Sequence, residues 1–147
     1  MAKHAYCRHS SRISVPFFDV DAMHIVWHGH YVKYLEVARC AFLDSIAYNY
    51  LDMEKHGYAW PVVKVELKYI KPARFGQELR VDLQIIEYES CLKILYHIID
   101  IDSGQTLTQA MTMQVPVELA SGETQFETPA SWRTAIAKAP DFQPLEK

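Results

Sequence analysis

Asp19-Val20-Asp21-Ala22-Met23-His24-Ile25-Val26-Trp27-His28-Gly29-His30-Tyr31 carries two carboxylates and three imidazoles in thirteen residues. It runs straight into the best helical pattern of the chain. From Tyr31 onward, Tyr31, Tyr34, Leu35, Ala38, Ala41, Phe42, Ser45 and Ile46 fall at the i, i+3, i+4, i+7 spacing of one buried stripe. Lys33, Glu36, Arg39 and Asp44 fall largely off it. An ionisable loop therefore sits at the N-terminal end of a core helix. There the unpaired backbone N–H groups and the positive end of the helix dipole are available to an anion or a polarised carbonyl.

Upstream, residues 1–11 read as a loose leader, and Ile13, Val15 and Phe17 alternate with polar neighbours as a first strand. Pro16 cannot donate to a ladder, which makes that strand an edge or a bulged one. Downstream, the helix is expected to end near Ala47–Tyr50, with a further turn or two over Leu51–His56 stopped by Gly57. From Tyr58 the period falls to two. Val63, Val65, Leu67 and Tyr69 form one run, and Leu79, Val81, Leu83 and Ile85 the next. Leu92, Ile94, Tyr96 and Ile98 follow a turn at Glu89-Ser90. Asp102-Ser103-Gly104 is a hairpin signal before a last strand with Leu107, Met111, Met113, Val115 and Val117 on one side and Thr108, Thr112 and Gln114 opposite. Ile85-Ile86 and Ile98-Ile99 put apolar residues on both faces, as in a sheet covered by the helix on one side and partly covered on the other. Pro129 to Lys138 reads as a short C-terminal helix. The order β, long α, four β predicts an α+β fold, an antiparallel five-stranded sheet around one long central helix.

Composition sets the frame. The chain has 147 residues, 50% hydrophobic and 22% charged, enough for one core without staples. We expect a single domain over 1–147, its core at about 12–117 and a C-terminal extension at 118–147. A net charge of −3 lacks the basic footprint of a nucleic-acid binder. Cys7, Cys40 and Cys91 are widely spaced, without a CxxC pair, which fits a reducing compartment. Met1 to Arg12 is polar and not patterned as a secretory leader, and no apolar run approaches a membrane span. A cytoplasmic location is the expectation.

The pattern Asp-x-Asp-Ala-x-x-Ile-Val-Trp-His-x-x-Tyr, followed by Tyr34-Leu35-Glu36-x-Ala38-Arg39, resembles the hotdog-fold acyl-CoA thioesterases. The branch it is most similar to is that of 4-hydroxybenzoyl-CoA thioesterase and the YbgC-like proteins. Tyr69-x-x-Pro72-Ala73, with Phe75-Gly76 and Leu79 after it, resembles that family's second-strand motif. The resemblance implies a hotdog fold and hydrolysis of acyl-CoA thioesters, with coenzyme A or an acyl carrier protein holding the acyl group. It implies a homodimer or homotetramer with the active site between subunits, and no metal or prosthetic group. Asp21 stands at the catalytic carboxylate, His28 at the YbgC-like histidine, and the backbone N–H there at the group that polarises the carbonyl. His24 occupies a position usually held by glycine, and Phe17 one often held by tyrosine.

The residues suit this chemistry. Thioester hydrolysis needs a carboxylate or an activated water at the carbonyl carbon and donors where the oxyanion forms. Asp21 and His28 are the catalytic candidates, the competing roles being an Asx-turn cap for Asp21 and plain packing for His28. Trp27, His30 and Tyr31 are candidates to line the acyl site, core packing being the commoner use of aromatics. Asp19 is expected to accept loop amides. Glu36 and Arg39, three apart, are expected to pair, with Glu36 also placed to reach a partner's site. Lys64, Lys68, Lys71 and Arg74 suit either the phosphates of coenzyme A or a solvated strand face. His24, His28 and His30 do not complete a metal-ligand pattern. Two rivals to the hydrolase remain: a hotdog enoyl-CoA hydratase using Asp19 and His24, and an acyl-binding module without turnover.

Overall fold

A computed structural model of the chain describes residues 4–145. Its elements are β1 (Cys7–Ser14), α1 (His30–Ser45), α2 (Tyr50–Lys55), β2 (Tyr58–Ala59), β3 (Val62–Tyr69), β4 (Glu78–Glu87), β5 (Leu92–Asp100), β6 (Thr106–Gln114), β7 (Val117–Glu118) and α3 (Ala130–Ile136). Five strands form one antiparallel sheet in the order β1-β4-β5-β6-β3, and β2 and β7 pair separately. This is the α+β arrangement expected, its two short helices included, with the two-stranded ribbon of β2 and β7 added.

The core lies between α1 and the inner face of the sheet. Leu79, Val81, Leu83 and Ile85 of β4 join Leu92, Ile94, Tyr96 and Ile98 of β5 in one buried cluster with Tyr31, Tyr34, Leu35, Ala38, Phe42 and Leu43 of α1. Arg39 departs from the stripe: it is buried, and it pairs with Glu36 as expected while also donating to the Tyr50 hydroxyl at 3.0 Å. The aliphatic stem of arginine lets a guanidinium sit under a helix provided its head finds acceptors.

Other differences have local causes. α1 stops at Ser45, short of Ala47–Tyr50, because Ala47 turns the chain at φ 55° and Asn49 then caps α2 in a reciprocal box with Asp52. β1 begins at Cys7, inside the expected leader, and ends before Phe17; residues 1–3 lie outside the described residues. Its less exposed positions after Cys7 include His9 and Ser11, so no apolar alternation announced it. In β6 burial is not confined to the apolar face: Leu107 and Met111 are buried, and so are residues opposite them. Thr108, Thr112 and Gln114 are all buried, Thr112 meeting the Tyr96 hydroxyl at 2.7 Å and Gln114 donating to the Trp60 carbonyl at 2.7 Å.

The two sheet edges differ. Along β1, the Gln143 N–H donates to the Tyr6 carbonyl at 2.8 Å and Asp141 accepts from the Arg8 N–H at 2.8 Å, so the C-terminal segment occupies part of that edge. α3 anchors the segment through Trp132, fully buried against Trp60 and Tyr48, with its indole N–H on the Tyr88 carbonyl. Along β3, Val62, Val63, Val65 and Tyr69 are exposed.

Candidate active site

The ionisable loop is a small closed structure fastened to the start of α1. Val20 and Val26 bridge antiparallel, and the Trp27 N–H donates to the Asp19 carbonyl at 3.0 Å. At its tip the Asp21 N–H donates to Ile25 and the His24 N–H to Asp21, both at 2.9 Å. The Asp21 carboxylate accepts from the Met23 N–H at 2.8 Å through Oδ1, an Asx turn. His24 closes the turn at φ 66°, a left-handed conformation that favours glycine.

The Asp19 side chain is buried and accepts from Lys33 Nζ at 2.6 Å and from the Tyr34 hydroxyl at 2.7 Å, with His30 Nδ1 at 3.8 Å. Burial alone would push its carboxyl up. The hydrogen bonds and charge from the first turns of α1 outweigh burial and hold it below the usual range. Asp19 thus grips helix side chains, where loop amides were expected. The amide-accepting side chain is that of Asp21.

The segment after β3 supplies the opposite wall. The Val26 N–H donates to the Ala73 carbonyl at 2.8 Å, and the Ala73 N–H donates to the Tyr31 hydroxyl at 2.9 Å. Tyr69 stands edge-on to Tyr31 with ring centroids 5.0 Å apart, and its hydroxyl donates to the His28 carbonyl at 2.9 Å. Desolvation raises the pKa of both phenols further above an ordinary value that already leaves tyrosine protonated at neutral pH.

Between these walls lies a cavity of about 370 Å³ lined by Asp21, Met23, Ile25, Val26, His28, Tyr31, Tyr69, Ile70, Lys71 and Pro72. That volume suits a small-molecule site. Asp21, His28 and Tyr31 are therefore brought together. Trp27 and His30 lie outside the lining, edge to face at 5.4 Å, with the Trp27 indole against Gly29. A Cβ on Gly29 would sit 2.1 Å from that ring, so the position needs glycine for packing. Among the described residues, nothing accepts a hydrogen bond from the backbone N–H of His28 or Gly29. No group of three His, Cys, Asp or Glu there gathers as a metal site.

Tyr69 and the apolar lining residues were not among the expected site residues. The only signal for Tyr69 was its place in Tyr69-x-x-Pro72-Ala73. Nothing in the spacing of Asp19, Lys33 and Tyr34 announced their contact across the loop.

The chain is similar to known proteins over nearly its whole length. The Bacillus subtilis protein provisionally named acyl-CoA thioesterase YneP is 32% identical over 130 residues, covering 86% of this chain and 94% of that protein. The acyl-CoA thioesterase YbgC of Helicobacter pylori strain 26695 is 30% identical over 85 residues, 58% of this chain and 62% of that one. Among solved structures, the 1,4-dihydroxy-2-naphthoyl-CoA thioesterase Slr0204 from Synechocystis superposes with a TM-score of 0.78 at 22% identity, covering 90% of this chain and 97% of that chain, a likeness of fold. The family model for the thioesterase-like superfamily matches residues 15–144. The sheet and its central helix have the hotdog fold, and the chain belongs to the thioesterase-like superfamily.

Proposed function

We propose that the protein hydrolyses acyl-CoA thioesters to the free acid and coenzyme A. The observation that carries this reading is the cavity at the start of α1, where Asp21 and His28 share one space beside backbone N–H groups left without protein acceptors. Family membership and the naming of YneP and YbgC as acyl-CoA thioesterases support it.

In this mechanism the thioester carbonyl oxygen lies at the helix start and accepts from the His28 N–H, aided by the dipole. Asp21 either attacks the carbonyl carbon itself or takes a proton from an attacking water. The tetrahedral adduct then collapses, the C–S bond breaks, and the thiolate leaves with the electron pair. On the general-base path this gives the free acid directly, and on the direct path it leaves a mixed anhydride with Asp21 that a water hydrolyses to the free acid and the Asp21 carboxylate. Because a thiolate is a good leaving group, no strong acid is needed. The His28 side chain orients Asp21 or the water, and Tyr31 bounds the acyl group, while Trp27 and His30, outside the cavity lining, pack edge to face with each other. Lys71, which lines the cavity, suits a phosphate of coenzyme A. The unit of function is a homodimer or homotetramer, supported by the exposed apolar residues of β3 at a bare edge. Widely spaced free thiols favour the cytoplasm.

The hydratase reading finds less support. The carboxylate oxygens of Asp19 are occupied by Lys33 and Tyr34, and neither Asp19 nor His24 lines the cavity. The test is thiol release from short, long and aryl acyl-CoAs and from an acylated carrier protein, with Asp21→Asn beside the wild type. Turnover that falls by about 10² or more in the variant supports the reading. Full activity in Asp21→Asn defeats the mechanism. Loss of enoyl absorbance without thiol release would point to hydration, and tight binding without either to an acyl-binding module. Single turnover in H₂¹⁸O distinguishes general-base action, which puts the label in the product acid, from direct attack followed by water opening the anhydride at the Asp21 carboxyl carbon, which leaves it in the Asp21 carboxylate.

A further inference from the structure

We infer that Tyr69 is a positioning residue that sets the Gly29 N–H as a second carbonyl-polarising donor beside the His28 N–H, acting through the His28–Gly29 peptide; the inference rests on the reading of the site above. His28 is held on both sides. The Trp27 carbonyl accepts the His30 N–H at 2.9 Å, and the His28 carbonyl accepts the Tyr69 hydroxyl at 2.9 Å. The first bond fixes the peptide plane that carries the His28 N–H. The second fixes the plane that carries the Gly29 N–H, because C=O and N–H are rigidly opposed in a planar trans peptide.

This stretch has little else to hold it. Gly29, the residue before the first helical residue, brings no capping side chain, and it has no Cβ to restrict its own torsions. An unpinned His28–Gly29 peptide would rock, and a donor that rocks stabilises a developing oxyanion poorly. Tyr69 also acts electronically. A hydrogen bond donated to a peptide carbonyl draws charge through the amide and makes the N–H of that peptide a stronger donor. The tyrosine is itself well placed to serve. It ends β3, and its ring is braced edge-on by Tyr31, whose hydroxyl is in turn occupied by the Ala73 N–H. The phenol, its pKa raised further above an ordinary value already well above neutrality, remains a donor through the neutral range.

The test is Tyr69→Phe, which keeps the ring and deletes the donor. We expect kcat to fall about tenfold with KM within about twofold, a part of what losing a whole oxyanion donor costs. A purely structural role would not move the second readout, the infrared C=O band of ¹³C-labelled benzoyl-CoA bound to Asp21→Asn. The band should shift to lower frequency on binding, and the shift should shrink when Tyr69→Phe is added. An undiminished shift, or an unchanged kcat, overturns the inference while leaving the hydrolase reading intact. Full activity in Asp21→Asn alone, or no thiol release from any acyl-CoA by the wild type, overturns both. Thermal unfolding of Tyr69→Phe within about 2 °C of wild type is expected.

Discussion

Replacing Asp19 with alanine should unfasten the active-site loop, and the contacts set the size of the effect. Two partners are lost. The Tyr34 hydroxyl is buried and would be left without its acceptor at 2.7 Å, which costs about 1–3 kcal/mol. Lys33 Nζ, at 2.6 Å, belongs to a side chain 45% exposed, so water takes over much of its solvation and the ion pair contributes about 1 kcal/mol after screening. The total is about 2–4 kcal/mol at neutral pH. The sign with pH follows from the depressed carboxyl. Its contribution is fully present above the unfolded carboxylate value near pH 4 and is lost as pH falls through the lower folded value. Urea unfolding at fixed protein concentration, from pH 7 down to pH 2.5, is the assay. The gap between wild type and Asp19→Ala should be constant above about pH 4 and narrow below it. A gap under about 0.5 kcal/mol at pH 7, or one that widens in acid, would refute the assignment of Asp19 as an ionised anchor.

Three further outcomes are expected. His24→Gly relieves a left-handed conformation worth about 1–2 kcal/mol against a glycine entropy cost of about 0.5–1 kcal/mol, so the melting temperature should rise by about 2 °C, read by calorimetry. Gly29→Ala drives a Cβ into the Trp27 ring and should lower stability by about 1 kcal/mol while raising acrylamide quenching of tryptophan fluorescence. The Cys7 thiol, pushed up to about 12 chiefly by burial, should resist Ellman's reagent at pH 8 in the native protein and react on unfolding. Because that pKa is raised, its contribution to stability is complete below about pH 8.5 and declines as pH climbs toward the folded value.

The elements that were legible in the sequence are those whose burial follows apolar side chains. The α1 stripe and the alternation of β4 and β5 emerged from period, and the Gly57 stop from glycine's preference for the position after a helix. What escaped did so because polar side chains took inner positions. β6 buries Thr108, Thr112 and Gln114, and α1 buries Arg39; Thr112, Gln114 and Arg39 are supported by partners that lie far off in sequence or on another element. The site divides in the same way. Asp21, His28 and Tyr31 lie in one continuous motif, so their convergence on a cavity could be anticipated. Tyr69 reaches His28 across 41 positions, and Asp19 reaches Lys33 across 14, and only the folded chain reports such contacts.

The unequal edges of the sheet bear on how many copies can join. β1 carries the C-terminal tail across Tyr6–Arg8 and turns Arg8, Ser10, Arg12 and Ser14 to solvent, whereas β3 presents valines and an unfilled ladder. Were two copies to meet β3 to β3, the same patch would serve both sides about a two-fold axis, and each molecule would then have spent the more inviting of the two edges among its described residues. Growth by strand addition would end at the pair. A chain with two bare edges would have no such stopping point and could extend into a fibre.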